Sequence, residues 1–162
     1  MELTSHMSNN EEFVPAAGYP NLSKIRNTYG IVFLILIVSS FLTQGSFMNR
    51  IEAATFIISI VILLLAISKY PVSVYISSLN DTLSYRTVNG FGKERVRSLL
   101  LSDADVSYKY AVISGNMRGY RLRLSNGNNK ITIEEGYRDT RFSKEQLDQM
   151  VTIINKYQAV SN

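Results

Sequence analysis

At 162 residues the chain is about one domain long, and its net charge of +4 falls short of the dense positive arm that nucleic acid demands. It has no cysteine, which excludes disulfides, iron–sulfur clusters, thiolate zinc sites and a cysteine nucleophile. Its one histidine, His6, lies in "MELTSHM", which also reads as an expression remnant; no metal or other cofactor is expected.

Residues 1–28 mix polar and apolar types and read as a flexible N-terminal segment. The pattern then changes. From Gly30 to Ser68 the only charges are Arg50 and Glu52. Tyr29 to Met48 is a 20-residue window without a charged side chain, and Ile51 to Ser68 offers 18 more residues. A helix rises about 1.5 Å per residue, so roughly 20 apolar residues cross a hydrocarbon core about 30 Å thick. Neither run carries the polar stripe of a helix half-exposed to water. In lipid only a helix closes its own backbone hydrogen bonds, so residues 29–69 read as a two-helix transmembrane hairpin with "TQGSFMNRIEA" as its tip. A cleaved signal peptide fits less well, because the polar leader is long and no A-x-A-like site follows the apolar core. Lys24 and Arg26 before the first run and Lys69 after the second place both termini in the cytoplasm by the positive-inside rule. Ser39, Ser40, Thr43, Gly45, Ala54 and Ser59 are small enough to let the helices approach and hydrogen-bond across their interface. No ionisable residue lies mid-span, so an ion or proton pathway has no support.

Beyond Tyr70 the periodicity becomes two. That half holds 13 Lys plus Arg against 9 Asp plus Glu. "VSVYIS" and "TLSYRTV" alternate on either side of the turn residues "SLND", and "NGFG" is a hairpin signal because Asn and Gly tolerate positive φ. "KERVRSLLL", "DVSYKYAVI", "GYRLRL" and "ITIEE" complete six expected strands, with "GYRDTRF" as a doubtful seventh. "SKEQ" at Ser143–Gln146 has capping-box spacing, and Leu147, Met150, Val151 and Ile154 then recur at helical spacing, predicting a helix to about Gln158. Residues 70–162 therefore read as a cytoplasmic β-domain with a C-terminal helix, and the whole chain as α+β.

Strands joined by hairpins, then one terminal helix, attached to a two-helix anchor, resembles the bacterial pleckstrin-homology-like domain membrane proteins. The segments that carry the resemblance are "VYISSLNDTLSYRTVNGFGKERVRSLLLSDADVSYKY", "RGYRLRLSNGNNKITI" and "FSKEQLDQMVTIINKY". It implies a small antiparallel β-barrel or sandwich, two nearly orthogonal sheets capped at one end by the helix, in a bacterial inner-membrane protein. Family members that bind inositol phosphates usually have a basic first loop between strands. Here that loop is "SSLNDT", with Asp81 and no base, so phosphoinositide binding is not carried over.

Three residue sets are candidates for chemistry. Arg95, Arg97, Lys109, Arg118, Arg121 and Arg123 form a basic set that fits contact with anionic lipid or a partner, each residue near a negative leaflet being worth about 1 kcal/mol. The competing reading is a solvated outer sheet face. The carboxylates Asp103, Asp105, Glu134, Glu135 and Asp139 lack the convergent spacing of an acid–base pair. Tyr108, Tyr110, Tyr120 and Tyr137 sit at period two, where aromatic residues fill a sheet face more often than they stack bases. No nucleotide-loop, zinc-protease or nucleophile-elbow motif is present. The expectation is a non-enzymatic integral membrane protein presenting a protein-interaction or assembly module at the cytoplasmic membrane face. Its partners would be membrane lipid and a protein or further copies of itself, with no nucleic acid. Alternatives are an immunity protein that neutralises a membrane-acting or secreted toxin, and an accessory subunit of a channel or transporter.

Overall fold

The computed structural model describes residues 10–15, 18–42, 47–114, 116–136 and 141–161. The elements run β1 (Asn10–Phe13), α1 (Leu22–Leu42), α2 (Phe47–Ile67), β2 (Tyr70–Ser77), β3 (Thr82–Val88), β4 (Glu94–Leu100), β5 (Asp105–Ser114), β6 (Met117–Asn126), β7 (Asn129–Glu134) and α3 (Lys144–Ser161). The chain is α+β and divides into two compact units. One comprises residues 1–20, 71–87 and 95–162, the other residues 21–70 and 88–94.

In the helical unit, α1 and α2 pack on each other. Most apolar side chains of α1 are exposed, Ile31 and Leu34 both 61%, while Phe33 and Ile37 are half-buried. Leu22–Ser39 is long and apolar enough to cross a membrane, and among the described residues it alone meets that measure. The expectation of two full-length spans is corrected here: the apolar part of α2 is Ile51–Ile67, 17 residues or about 25 Å, less than a hydrocarbon core of about 30 Å. Of the expected tip, Phe47–Ala53 belong to α2, and residues 43–46 lie outside the described residues. The hydroxyls expected to bond between helices turn inward instead. Ser39 Oγ donates to the Ile35 carbonyl (2.8 Å) and Ser59 Oγ to that of Thr55 (2.9 Å), each satisfied one turn back in its own helix. Ser40, Thr43 and Gly45 have no described side chain to compare.

The β unit holds two antiparallel sheets, ordered β1-β2-β3-β4 and β5-β6-β7. The six expected strands are all present. A seventh strand, β1, lies in the segment expected to be flexible; of the doubtful strand "GYRDTRF", residues 137–140 lie outside the described residues, and Phe142 forms an isolated bridge with Glu135. Phe13 opposes Val74 in the β1–β2 register and is itself buried, which explains why a four-residue strand persists. The sheets do not close into a barrel, because β4 and β5 each end a different sheet. Their apolar faces meet in one core instead. Val74, Ile76 and Leu83 come from the first sheet, Leu122, Leu124, Ile131 and Ile133 from the second, all essentially without solvent contact.

The helix α3 covers this core through Leu147, Met150 and Ile154, each 0% exposed, with Val151 partly buried beside them. Its start forms as the spacing predicts: Ser143 Oγ accepts the Gln146 N–H (3.3 Å), and Gln146 Oε1 accepts the Ser143 N–H (3.0 Å). Gln146 Nε2 also donates to the Val14 carbonyl (2.8 Å), tying the chain after β1 to the helix. Near the other end Gln158 Nε2 donates to the carbonyls of Leu101 (3.2 Å) and Ala104 (2.6 Å), holding the β4–β5 turn.

Leu147→Ala removes a fully buried side chain and is expected to cost about 2–5 kcal/mol, whereas Ser143→Ala removes one cap and is expected to cost about 1 kcal/mol. Denaturant unfolding of the detergent-solubilised full chain, followed by near-ultraviolet dichroism of its tyrosines, checks the order.

Candidate functional site

The second sheet separates its residues by parity. Leu122 and Leu124 face the core while Arg121 and Arg123 face outward, as the alternation in "GYRLRL" predicts. Lys109 pairs with Arg121 and Ser107 with Arg123, so Lys109, Arg121 and Arg123 share the outer face. Arg118 pairs with Val112 and has the opposite parity on β6. Arg95 and Arg97 lie on β4 in the other sheet, both exposed. The six residues are thus spread over two sheets and two faces. Arg121 is already engaged: it is half-buried, bonds Glu134 at 2.7 Å, and donates to the Val112 carbonyl at 2.8 Å. Arg97 Nη1 donates to the Lys130 carbonyl (3.4 Å), a link between the two sheets. Lys109 and Arg123 are exposed on that outer face.

The carboxylates serve as hydrogen-bond partners. Glu134 binds Arg121 and, at 3.4 Å, Arg141. Glu135 Oε2 accepts the Tyr120 N–H at 2.7 Å. Gly119 permits this approach, since a Cβ there would lie 3.0 Å from that oxygen and 2.6 Å from Ile113 Cδ1. Asp103 is exposed in the turn before β5 and Asp105 is exposed at the first position of β5, and Asp139 and Tyr137 lie outside the described residues. Among the described residues no three His, Cys, Asp or Glu side chains converge on a metal position.

Period-two spacing places Tyr108, Tyr110 and Tyr120 on one sheet face but does not reveal the cluster through which they tie β5 and β6 to α3. Tyr108 and Tyr120 stack with centroids 5.3 Å apart, and Tyr110 meets Tyr120 edge-on at 5.3 Å. Tyr108 donates its hydroxyl to Asp148 Oδ1 (2.5 Å) across 40 positions of sequence. Lys144 Nζ bonds Asp148 Oδ2 (2.6 Å) and lies 5.0 Å from the centroid of Tyr120. The i,i+4 spacing of Lys144 and Asp148 was a further legible signal.

Charge and burial fix protonation here. Desolvation first, then the bond to Asp148, pushes the Tyr108 hydroxyl far above its ordinary range. The Lys144 ammonium, then the Tyr108 hydroxyl, hold Asp148 below the usual carboxylate range, and Asp148 in turn raises Lys144. Tyr85, buried nearer the core, is pushed up to about 12 by desolvation. A phenol held protonated and a carboxylate held ionised make a rigid polar clamp, with no group poised to exchange a proton near neutrality.

Apolar side chains flank the clamp. Tyr110 is 59% and Val112 52% exposed, so the expected apolar face of β5 runs past the core into solvent. An open groove of about 290 Å³ is lined by Glu11 of β1 and by Asp148, Gln149, Thr152 and Ile153 of α3. On β4, the edge of the four-stranded sheet, Val96 and Leu100 are exposed. The chain matches no protein-family model and no curated protein.

The Asp148 carboxylate is held below its unfolded value, so its stabilising effect is present above that value, near 3.8, and is lost as pH falls through the folded one. Thermal unfolding midpoints measured between about pH 5 and pH 3 are therefore expected to fall less steeply for Asp148→Asn than for the unaltered protein.

Proposed function

We propose that the chain is an integral membrane protein that carries a pleckstrin-homology-like β unit at the cytoplasmic face and uses it to bind a protein partner or a second copy of itself. The observation that carries this reading is the pairing of β1 with β2 around the apolar helices. Phe13 precedes α1 and opposes Val74, which follows α2. The chain therefore leaves the sheet and returns to it. If α1 crosses the bilayer, something must cross back, and only residues 68 and 69 separate α2 from β2. The return falls to α2, whose 21 residues reach about 31 Å. Its shorter apolar part is accommodated by local thinning of the bilayer, with Arg50 and Glu52 at the far headgroups.

The same pairing argues against a cleaved leader, since cleavage after α1 would strip β1 and the buried Phe13 from the sheet. Lys24 and Arg26 in the first turns of α1 and Lys69 just after α2 gather positive charge at the end of the hairpin where the chain enters and leaves it, which supports a cytoplasmic β unit. Seven strands in sheets of four and three followed by a helix suit the family resemblance. The first connection between strands is then the helical hairpin itself, and "SSLNDT" is the second. The exposed edge of β4 suits strand addition, with Val96 and Leu100 as apolar contacts and Arg95 and Arg97 fixing the register.

Two measurements test this. In sealed vesicles of known orientation, protease is expected to digest residues 70–162 only from the cytoplasmic side; digestion from the other side would overturn the topology. In native membranes, Val96→Asp is expected to lower chemical cross-linking of the full chain, to itself or to its partner, by about tenfold or more, because the contact would bury a charge. Unchanged cross-linking would remove β4 from the interface.

A further inference from the structure

The turn between β3 and β4 reads Asn89-Gly90-Phe91-Gly92, and it is fastened to the helices. The Gly90 N–H donates to the carbonyl of Leu65 (2.9 Å), and Asn89 Nδ2 donates to that of Ala66 (3.3 Å). These carbonyls belong to the last turn of α2, where a helix has no internal donors left. The fit leaves no room for a side chain, since a Cβ at Gly90 would lie 2.6 Å from Leu65 Cδ2 and 3.0 Å from the Leu65 oxygen. Asn89 stiffens the turn as well, its Oδ1 accepting the N–H groups of Phe91 (3.0 Å) and Lys93 (2.9 Å). Gly92 takes φ +87° and comes within 3.5 Å of Leu22, the first residue of α1, when a Cβ is placed on it.

The turn is therefore held where α1 begins and α2 ends. Leu65 lies two residues inside the end of the apolar run of α2, about 3 Å along the axis. At that level Phe91 is 52% exposed, although its neighbour Gly90 is buried. Lys93 follows in the same turn, and Lys24 and Lys69 flank the same helix ends. A rigid loop with an aromatic residue at its crest and cations around it, at the level where hydrocarbon gives way to water, matches the chemistry of an anionic phospholipid interface.

We propose that the β3–β4 turn is a membrane-interface foot, in which Phe91 enters the boundary between headgroups and acyl chains of an anionic bilayer and Lys93 meets the lipid phosphates. This deepens the membrane reading above and rests on it. The foot would hold the β3–β4 turn to the leaflet that the helices leave.

The chain contains no tryptophan, so one introduced residue reports alone. The full chain is reconstituted as Phe91→Trp and, separately, as Leu34→Trp within α1, in phosphatidylcholine vesicles with and without brominated acyl chains. Strong quenching at both positions, with blue-shifted emission at position 91, is expected. Quenching at Leu34→Trp without quenching at Phe91→Trp, and with aqueous acrylamide reaching the latter, would overturn the foot and leave the spanning helix standing. Loss of quenching at both would overturn the membrane reading and the foot together. Adding phosphatidylglycerol is expected to shift the Phe91→Trp emission further to the blue, and Lys93→Gln to abolish that increment; an unchanged spectrum on adding the anionic lipid would overturn the part assigned to the phosphates.

Discussion

Phe13 and Val74 face each other across one pair of strands, with the whole helical hairpin in the chain between them. Four residues of β1 make only a short ladder, and an isolated strand of that length would not persist in water. It holds because Phe13 enters the shared core and because Gln146, already part of the cap of α3, also takes the Val14 carbonyl. Closure of the sheet around the hairpin is thus a property of the core. It fixes the chain path as well, since the segment that leaves β1 must come back to β2 beside it.

The core and its helix were legible because their physics is local. Ser143 and Gln146 sit three positions apart, Leu147, Met150 and Ile154 repeat with the helical period, and "GYRLRL" separates its faces at period two. What the sequence hid depends on long-range pairing. "NEEF" has the composition of a disordered tail, and only the sheet edge offered by β2 makes it a strand. The basic set looked continuous when read along the chain, yet it is divided between two sheets, and Arg121 is bound by Glu134. Tyr108 and Asp148 lie too far apart for periodicity to connect them. Serine and threonine in the apolar runs looked like interhelical contacts, but the carbonyl one turn back is nearer and already aligned.

Polar groups throughout the molecule are held by neighbours that fix both position and charge. Asp148 is shared by Lys144 and Tyr108, and Glu134 by Arg121 and Arg141. Asn89 and Gly90 supply donors to carbonyls that the end of α2 would otherwise leave unmatched. Asp148, Glu134 and Glu135 thus each have a hydrogen-bond or ion-pair partner among the described residues. Exposed side chains include Val96 and Leu100 on β4, Tyr110 and Val112 on β5, and the cations Lys109 and Arg123.

Every functional statement depends on lipid being the medium around α1, most of whose apolar side chains are exposed among the described residues. Alkaline carbonate extraction of the membrane fraction, followed by ultracentrifugation without detergent, tests this most directly. The account predicts that the protein stays in the pellet and is released only by detergent. Recovery in the supernatant would contradict it.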